Sequence, residues 1–565
     1  MMAISCFRKA FAMLLILSLL LLTLSCVATK NVRIIEEQIP SDVYNEKDMP
    51  IAVEIEPISK QIINLPEQGP LTITVKDAIL IALENNRSLL VERINPSIRK
   101  TFEDPELAVF DPTVEAEVST RRNDSKNLNP SGSYAENSAN DVIQGSISFK
   151  KYFPTGTFVE AEAVTKTTDS DQYSESYSST RLGLSVTQSL LQGYGTGANL
   201  AQLRQSQIET DITQYELRGF SEYLLAQVET TYWDYALSQR QIEIVEESLK
   251  IAKQQIADTE EMILVGTMAE AELAAVQAEV AAQQQGLINA KSNLASNRLK
   301  LLRLLNPPGQ TLWDRDINMV HPPALPEIKL DKVETHVALA LRMRPEMNQA
   351  KLDIQKEILE IVRTKNGLLP RMDLFITLGK TGYADSFSGS VNDMDGDSYD
   401  ITAGLNFEYP VFNRDARAQH RRAILRRGQA EMALDNLKQM VELDVRNAYI
   451  EVNRTKEQIF ASTETRKFQE EKLRIETEKF RVGLSTNLLV AQAQRDLLAS
   501  RINEVQAVVN YLKALVSFYR LEGSLLERRG IAAQGRDPVN ILQRTNEFPS
   551  SEKQTGLTTA QMTAR

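Results

Sequence analysis

Few residues of this 565-residue chain are of a type and spacing that could do covalent or metal chemistry. The histidines His321, His336 and His420 show no ligand spacing, and there is no glycine-rich phosphate loop or nucleophile elbow. An enzyme, a resident metal and a cofactor therefore find no support in the sequence. Of two cysteines, Cys6 lies in an apolar leader and Cys26 just past it, so removing the leader would leave one thiol, too few for a disulfide within the chain. The other chemistry-bearing groups are carboxylates. Glu115, Glu117, Glu160, Glu162 and Glu408 alternate with apolar residues, so they would either line water and set an ion preference or stand as solvated rim charges.

Arg8 and Lys9 precede an unbroken apolar run from Phe11 to Leu22, too short for a spanning helix and read as a secretory signal over 1–25. The run closes on Thr23-Leu24-Ser25-Cys26, which resembles a bacterial lipoprotein signal with threonine where leucine is usual. That resemblance implies acylation of Cys26, and Val27 in the next position implies export to the outer membrane. Residues 26–70, charged and aperiodic, are expected to form a lipidated tether.

With 42% hydrophobic and 25% charged residues and a net charge of -11, the remainder has ample core and no further apolar run of spanning length. If it crosses a bilayer, it must do so as a closed β-barrel. The acidic balance argues against a nucleic-acid partner.

The elements that would position these residues come twice. Amphipathic segments open at Leu71 and Ile328, and glycines interrupt long helical patterns at Val265-Gly266-Thr267 and Val482-Gly483-Leu484. The openings lie 257 residues apart and the glycines 217, so the first of two structural copies carries an insertion of about 40 residues. The copies are expected at 71–305 and 328–525, joined by a proline-bearing belt at 306–327 containing Trp313, with a disordered tail at 526–565.

The insertion is visible in the strands. In the second copy, alternation at Met372–Leu378 and Ile401–Tyr409 gives two strands within about 371–410. The first copy offers four within about 112–190: Thr113 to Thr120, Val142 to Tyr152, Thr157 to Val164 and Arg181 to Gln188. Long polar connections alternate with the tight turn Pro154-Thr155-Gly156-Thr157, the asymmetry of outer-membrane barrels. Phe110, Tyr152, Phe153, Tyr409 and Phe412 gather at strand ends, as an interfacial girdle or as ordinary core aromatics.

Past the strands, 197–305 and 414–523 carry heptad spacing. Leu273, Val276, Val280, Leu287, Ala290 and Leu294 follow it with Gln283 as a polar interruption, and Leu498, Ile502, Val505, Val509, Leu512 and Val516 follow it without one. Each arm reads as an antiparallel coiled-coil hairpin, and the ~65 residues from Gly197 to Met262 would make a rod of roughly 100 Å.

The run Phe407-Glu408-Tyr409-Pro410-Val411-Phe412-Asn413-Arg414 and the stretch from Arg481 through Leu497 resemble the TolC family of outer-membrane efflux proteins at its strand-to-helix passage and its periplasmic hairpin tip. Val186 to Gly195 is the matching passage in the first copy. The resemblance runs from about Leu71 to Leu525 and implies an α+β membrane protein: a homotrimer whose strands close one outer-membrane barrel, continued by a periplasmic α-helical barrel. It further implies an exit channel for efflux or type I secretion, engaged by a periplasmic adaptor and an inner-membrane transporter. Three chains would bring roughly 12 to 18 strands, enough for an aqueous channel. The extra strands depart from the family's two per copy. The extra hairpin, roughly Val142 to Thr180, could enlarge the wall to about 18 strands or fold as an accessory hairpin outside it, and the asymmetry of its turn and loops favours the larger wall.

By the same resemblance, Gly266, Thr267, Gly483, Leu484 and Ser485 are expected at the adaptor contact, although glycine at a helix reversal also has a purely structural reason. Where relatives carry acidic gate residues past the tip glycine, this chain has Leu489 and Gln492, with Glu272 in the first copy. A hydrophobic or amide constriction closing by dewetting is the expected substitute. The rival is a lipid-anchored periplasmic coiled-coil scaffold without a pore, which predicts no strands.

Overall fold

The computed structural model describes residues 69–539 except 129–133, 171–175, 308–312, 321–322, 324, 327, 533–534 and 536, with the backbone alone over 124–139 and at 170. The secretory signal, Cys26, nearly all of the tether and the tail past residue 539 lie outside the described residues.

The first copy opens with a three-residue strand β1 (Leu71–Ile73), where a helix was expected, before helix α1 (Val75–Asn85). Thr74 and Asp77 form a capping box that starts α1: each side chain accepts from the other's backbone N–H, at 3.2 and 3.0 Å. Three short helices follow, Arg87–Glu92, Asn95–Lys100 and Glu103–Ala108. Next come strands β2 (Thr113–Leu128), β3 (Tyr134–Tyr152), β4 (Thr157–Ser170) and β5 (Tyr177–Ser189), then the long helix α2 (Ala201–Leu264) and the returning helix α3 (Ala271–Leu305).

Strand β6 (Ile317–Met319), within the expected belt, pairs in parallel with β1. Tyr235 of α2 donates to the carbonyl of Ile317 at 2.9 Å, fastening this small sheet to the long helix. The second copy repeats the plan with α4 (Val333–Met343), α5 (Pro345–Gly367), β7 (Arg371–Ala384), β8 (Tyr399–Glu408), α6 (Arg414–Arg481) and α7 (Asn487–Glu522). At 1.5 Å per residue, α2 and α6 are each about 100 Å long.

Strands β2 to β5, β7 and β8 form one antiparallel sheet in the order β2-β3-β4-β5-β7-β8, with free edges at β2 and β8. Its registers hold a row of Val114, Phe149, Ala161, Leu184, Leu378 and Ile401, one residue from each strand, on one face. The adjacent row, on the opposite face, is Glu115, Ser148, Glu162, Gly183, Gly379 and Asp400. Alternation in sequence thus becomes a sheet with one apolar and one polar side.

The two copies share one hydrophobic core, in which Ile79 and Leu83 of α1, Val228 of α2, Leu301 of α3, Val441 of α6 and Phe518 of α7 are buried together. The expected tail at 526–565 does not begin as one. Helix α8 (Leu525–Arg528) buries Leu525 and Leu526 completely, Arg529 makes two hydrogen bonds of 2.6 and 2.7 Å to the buried Glu229, and Glu527 pairs with the buried Arg218 at 2.7 Å. Long-range ion pairs hold this segment on α2, and its lack of periodicity concealed them.

Candidate functional site

Two regions carry residues singled out in the sequence, the hairpin tips and the two-faced sheet. At each tip the helix reverses through a glycine, Gly266 at φ +79° and Gly483 at φ +78°, a left-handed conformation that side chains resist. The backbone N–H groups of Thr267 and Leu484 return to the carbonyls of Met262 and Lys479 at 3.0 and 2.8 Å, so the turns are near copies. Leu484 projects 78% exposed, and Val482 beside it and Leu264 and Val265 at the first tip are exposed as well. Ser485 donates to Glu476 at 2.8 Å, and Lys479 and Ser485 together hold that carboxyl below its ordinary range. The proposed adaptor residues therefore form two adjacent caps, apolar at their apex.

Past the turns, Leu489 is 47% exposed and Gln492 is exposed, both on the first turns of α7. Glu272 is half-buried at the start of α3. Its neighbour is Asn487, 2% exposed, whose amide donates to Glu272 at 3.4 Å and accepts from Gln255 at 3.2 Å. One amide at the start of α7 thus bridges both arms of the other hairpin. Two turns on, Glu279, buried in α3, accepts from Arg495 of α7 and from Gln283, each at 2.8 Å. The polar interruption seen at Gln283 is therefore part of a junction between the two copies. Neither Asn487 nor Arg495 was singled out in the sequence, because a lone amide and a lone arginine on long helices carry no signal of a partner about 215 residues away.

A cleft of about 340 Å³ opens beside this junction, between Gln255, Asp258 and Met262 of α2 and Thr477, Phe480 and Arg481 of α6. Its lining is mostly polar and includes the buried Phe480.

On the sheet, Lys150 pairs with Glu115 at 2.5 Å and lies 3.8 Å from Glu160, and Arg181 pairs with Asp400 at 2.5 Å. The polar face thus carries carboxylates and cations in a cross-strand lattice. At the helix-proximal edge, Phe110 stacks on Tyr152 with ring centroids 5.9 Å apart, Arg414 lies over Phe412 at 5.0 Å, and Tyr409 is exposed. Among the described residues no helix is long and apolar enough to cross a membrane, and no cluster of His, Cys, Asp and Glu could hold a metal ion.

The model of the outer membrane efflux protein family matches residues 153–307 and 337–524. No curated protein matches the chain. Among solved structures, that of CusC, which concerns folding and transmembrane channel formation, superposes with a TM-score of 0.60 at 18% identity, covering 85% of this chain and 99% of its own. The Campylobacter jejuni CmeC outer membrane channel gives 0.58 at 15% identity, over 90% of this chain and 97% of its own. The open Neisseria gonorrhoeae MtrE outer membrane channel gives 0.54 at 17%, over 80% and 89%. At these identities the likeness is one of fold.

Proposed function

Because the chain belongs to the outer membrane efflux protein family, the TolC-like outer-membrane factors, we propose that it is the exit duct of a tripartite efflux or type I secretion system. In this reading three copies close one β-barrel, and their helical hairpins continue it into the periplasm as a tube. Cargo passes passively, driven by an inner-membrane transporter and handed over by a periplasmic adaptor. The acylated Cys26 adds a lipid anchor.

The observation that carries this reading is the two-faced sheet with free edges. In hydrocarbon every backbone N–H and C=O must be paired, so such a sheet can span a bilayer only when its edges meet those of other copies. A poreless scaffold has no use for strands that present an apolar row on one side and a lattice of charges on the other.

The tips supply the two remaining parts. Gly266, Thr267, Gly483, Leu484 and Ser485 form the adaptor contact, with Leu484, Leu264 and Val265 offering apolar surface to it. Leu489 and Gln492, brought together from three copies, form a constriction that closes by dewetting, with Glu272 adding a ring of carboxylates.

The reading is tested by native mass spectrometry and unheated electrophoresis of the detergent-extracted protein. A trimer whose migration changes on heating supports it. A monomer with no heat-dependent change refutes it and favours the scaffold.

A further inference from the structure

The first copy contributes four strands to the sheet and the second copy two. The matched segment begins at residue 153, after β2 and β3, and the second copy has only the pair β7–β8. The hairpin β2–β3 therefore lies outside the matched segment and gives the first copy two strands more than the second.

Its placement is specific. β3 pairs with β4 through thirteen consecutive positions, from Asn140↔Ser170 to Tyr152↔Phe158, without a register shift. The turn joining them is fastened to the passage between β5 and α2. Ser189 N–H donates to the Gly156 carbonyl at 3.0 Å, Gly195 N–H to that of Thr155 at 3.1 Å, and the Asn199 amide to that of Pro154 at 2.9 Å. Gly156, at φ +89°, lies so close to this passage that a Cβ would come within 2.2 Å of the Gly193 carbonyl oxygen. An appendage free of the sheet would show neither feature.

The faces agree. Val114 and Ala116 of β2 and Ile147 and Phe149 of β3 continue the apolar side of β4, β5, β7 and β8, while Glu115 and Lys150 continue the polar side. Ile147 is as open as Ile401 on the far strand, 59% against 54% exposed. An apolar surface this continuous calls for one occupant across all six strands. At 16 and 19 residues, β2 and β3 exceed the roughly 9–11 residues a tilted strand needs to span a bilayer.

Resting on the duct reading above, we infer that β2–β3 is part of the membrane wall, with lipid hydrocarbon covering its apolar face, and that it stands at the seam between neighbouring copies. Six strands from each of three chains then close a barrel of about 18 strands, in the range that leaves an aqueous channel. Parity allows it. With six alternating strands, β8 of one copy and β2 of the next run antiparallel, as every other pair in the sheet does. Barrel diameter grows roughly linearly with strand number, so the outer opening is about one and a half times as wide as four strands per chain would make it. The narrowest point then lies among the helices.

The test places single cysteines carrying a bimane fluorophore at Ile147, Val118, Glu117 and, as a wall reference on β8, Ile401, in full-length protein reconstituted into vesicles, with the unsubstituted chain as background. Quenchers are a brominated phospholipid and aqueous iodide. The inference expects Ile147→Cys, Val118→Cys and Ile401→Cys to be quenched several-fold more by the brominated lipid, and Glu117→Cys more by iodide. If Ile401→Cys faces lipid while Ile147→Cys and Val118→Cys are quenched by iodide, the hairpin lies outside the wall and the inference is overturned, leaving the duct intact. If Ile401→Cys also faces water, the duct reading falls with it.

Discussion

Arg495 and Glu279 meet across the two structural copies, the guanidinium of α7 donating at 2.8 Å to a carboxylate buried in α3. With Asn487 bridging to Glu272 at 3.4 Å, this contact makes the two hairpin tips one unit rather than two parallel rods. In the proposed duct, a passage formed by such tips would open by moving both hairpins or by breaking this junction.

Arg495→Ala is therefore expected to loosen the tips. The arginine is half exposed, so solvent offsets part of its loss and the cost is about 1 kcal/mol. Hydrogen exchange should speed up at the starts of α3 and α7 and stay unchanged near α1. Glu279→Gln, which can still bond Gln283, should behave more mildly.

The two kinds of glycine turn should respond differently. A Cβ at Gly483 meets nothing within 4 Å, so Gly483→Ala carries only the left-handed backbone penalty of roughly 1–2 kcal/mol. At Gly156 the same change also drives a methyl group into the Gly193 carbonyl. Heat stability of the assembled protein should fall little for Gly483→Ala and sharply for Gly156→Ala; equal losses would show that the β3–β4 turn is not fastened as described.

Burial pushes the Glu222 carboxyl up to about 8, against the attraction of Arg218, which Glu222 shares with Glu527. The folded state therefore binds more protons than the unfolded chain between the ordinary carboxyl range and about pH 8, and stability declines as pH rises through that window. Denaturation midpoints measured from pH 5 to pH 9 should flatten in Glu222→Gln, which should also be the more stable protein at the alkaline end.

Arg529→Ala strands the buried Glu229 carboxylate, whose ordinary range burial already raises. The cost is on the order of 2 kcal/mol, allowing for the arginine's partial exposure. Limited proteolysis should then cut within 525–532 at protease levels that leave the native chain whole. Unchanged resistance would mean that Leu525 and Leu526 alone hold the segment.

Much of this architecture can be read from the sequence where period and spacing carry it. Alternation at Met372–Leu378 and Ile401–Tyr409 marks β7 and β8, and Gly266 and Gly483 mark two tips that prove near-identical in backbone angle. What escapes is short or long-range. Leu71–Ile73 and Ile317–Met319 are too brief to show a period and become strands only by pairing with each other. The contacts of Asn487, Arg495 and Arg529 depend on which helices the fold brings together, and single polar residues on long helices look the same whether solvated or paired. Placing β2–β3 within one sheet, rather than outside it, required the registers.

The account stands or falls on a pore. Purified trimers in a planar bilayer should show stepwise single-channel conductance, and Leu489→Ala, which would trim the proposed apolar ring at the tips, should raise it several-fold without changing assembly. Correctly assembled trimers that conduct nothing, both as the native chain and as Leu489→Ala, would contradict it.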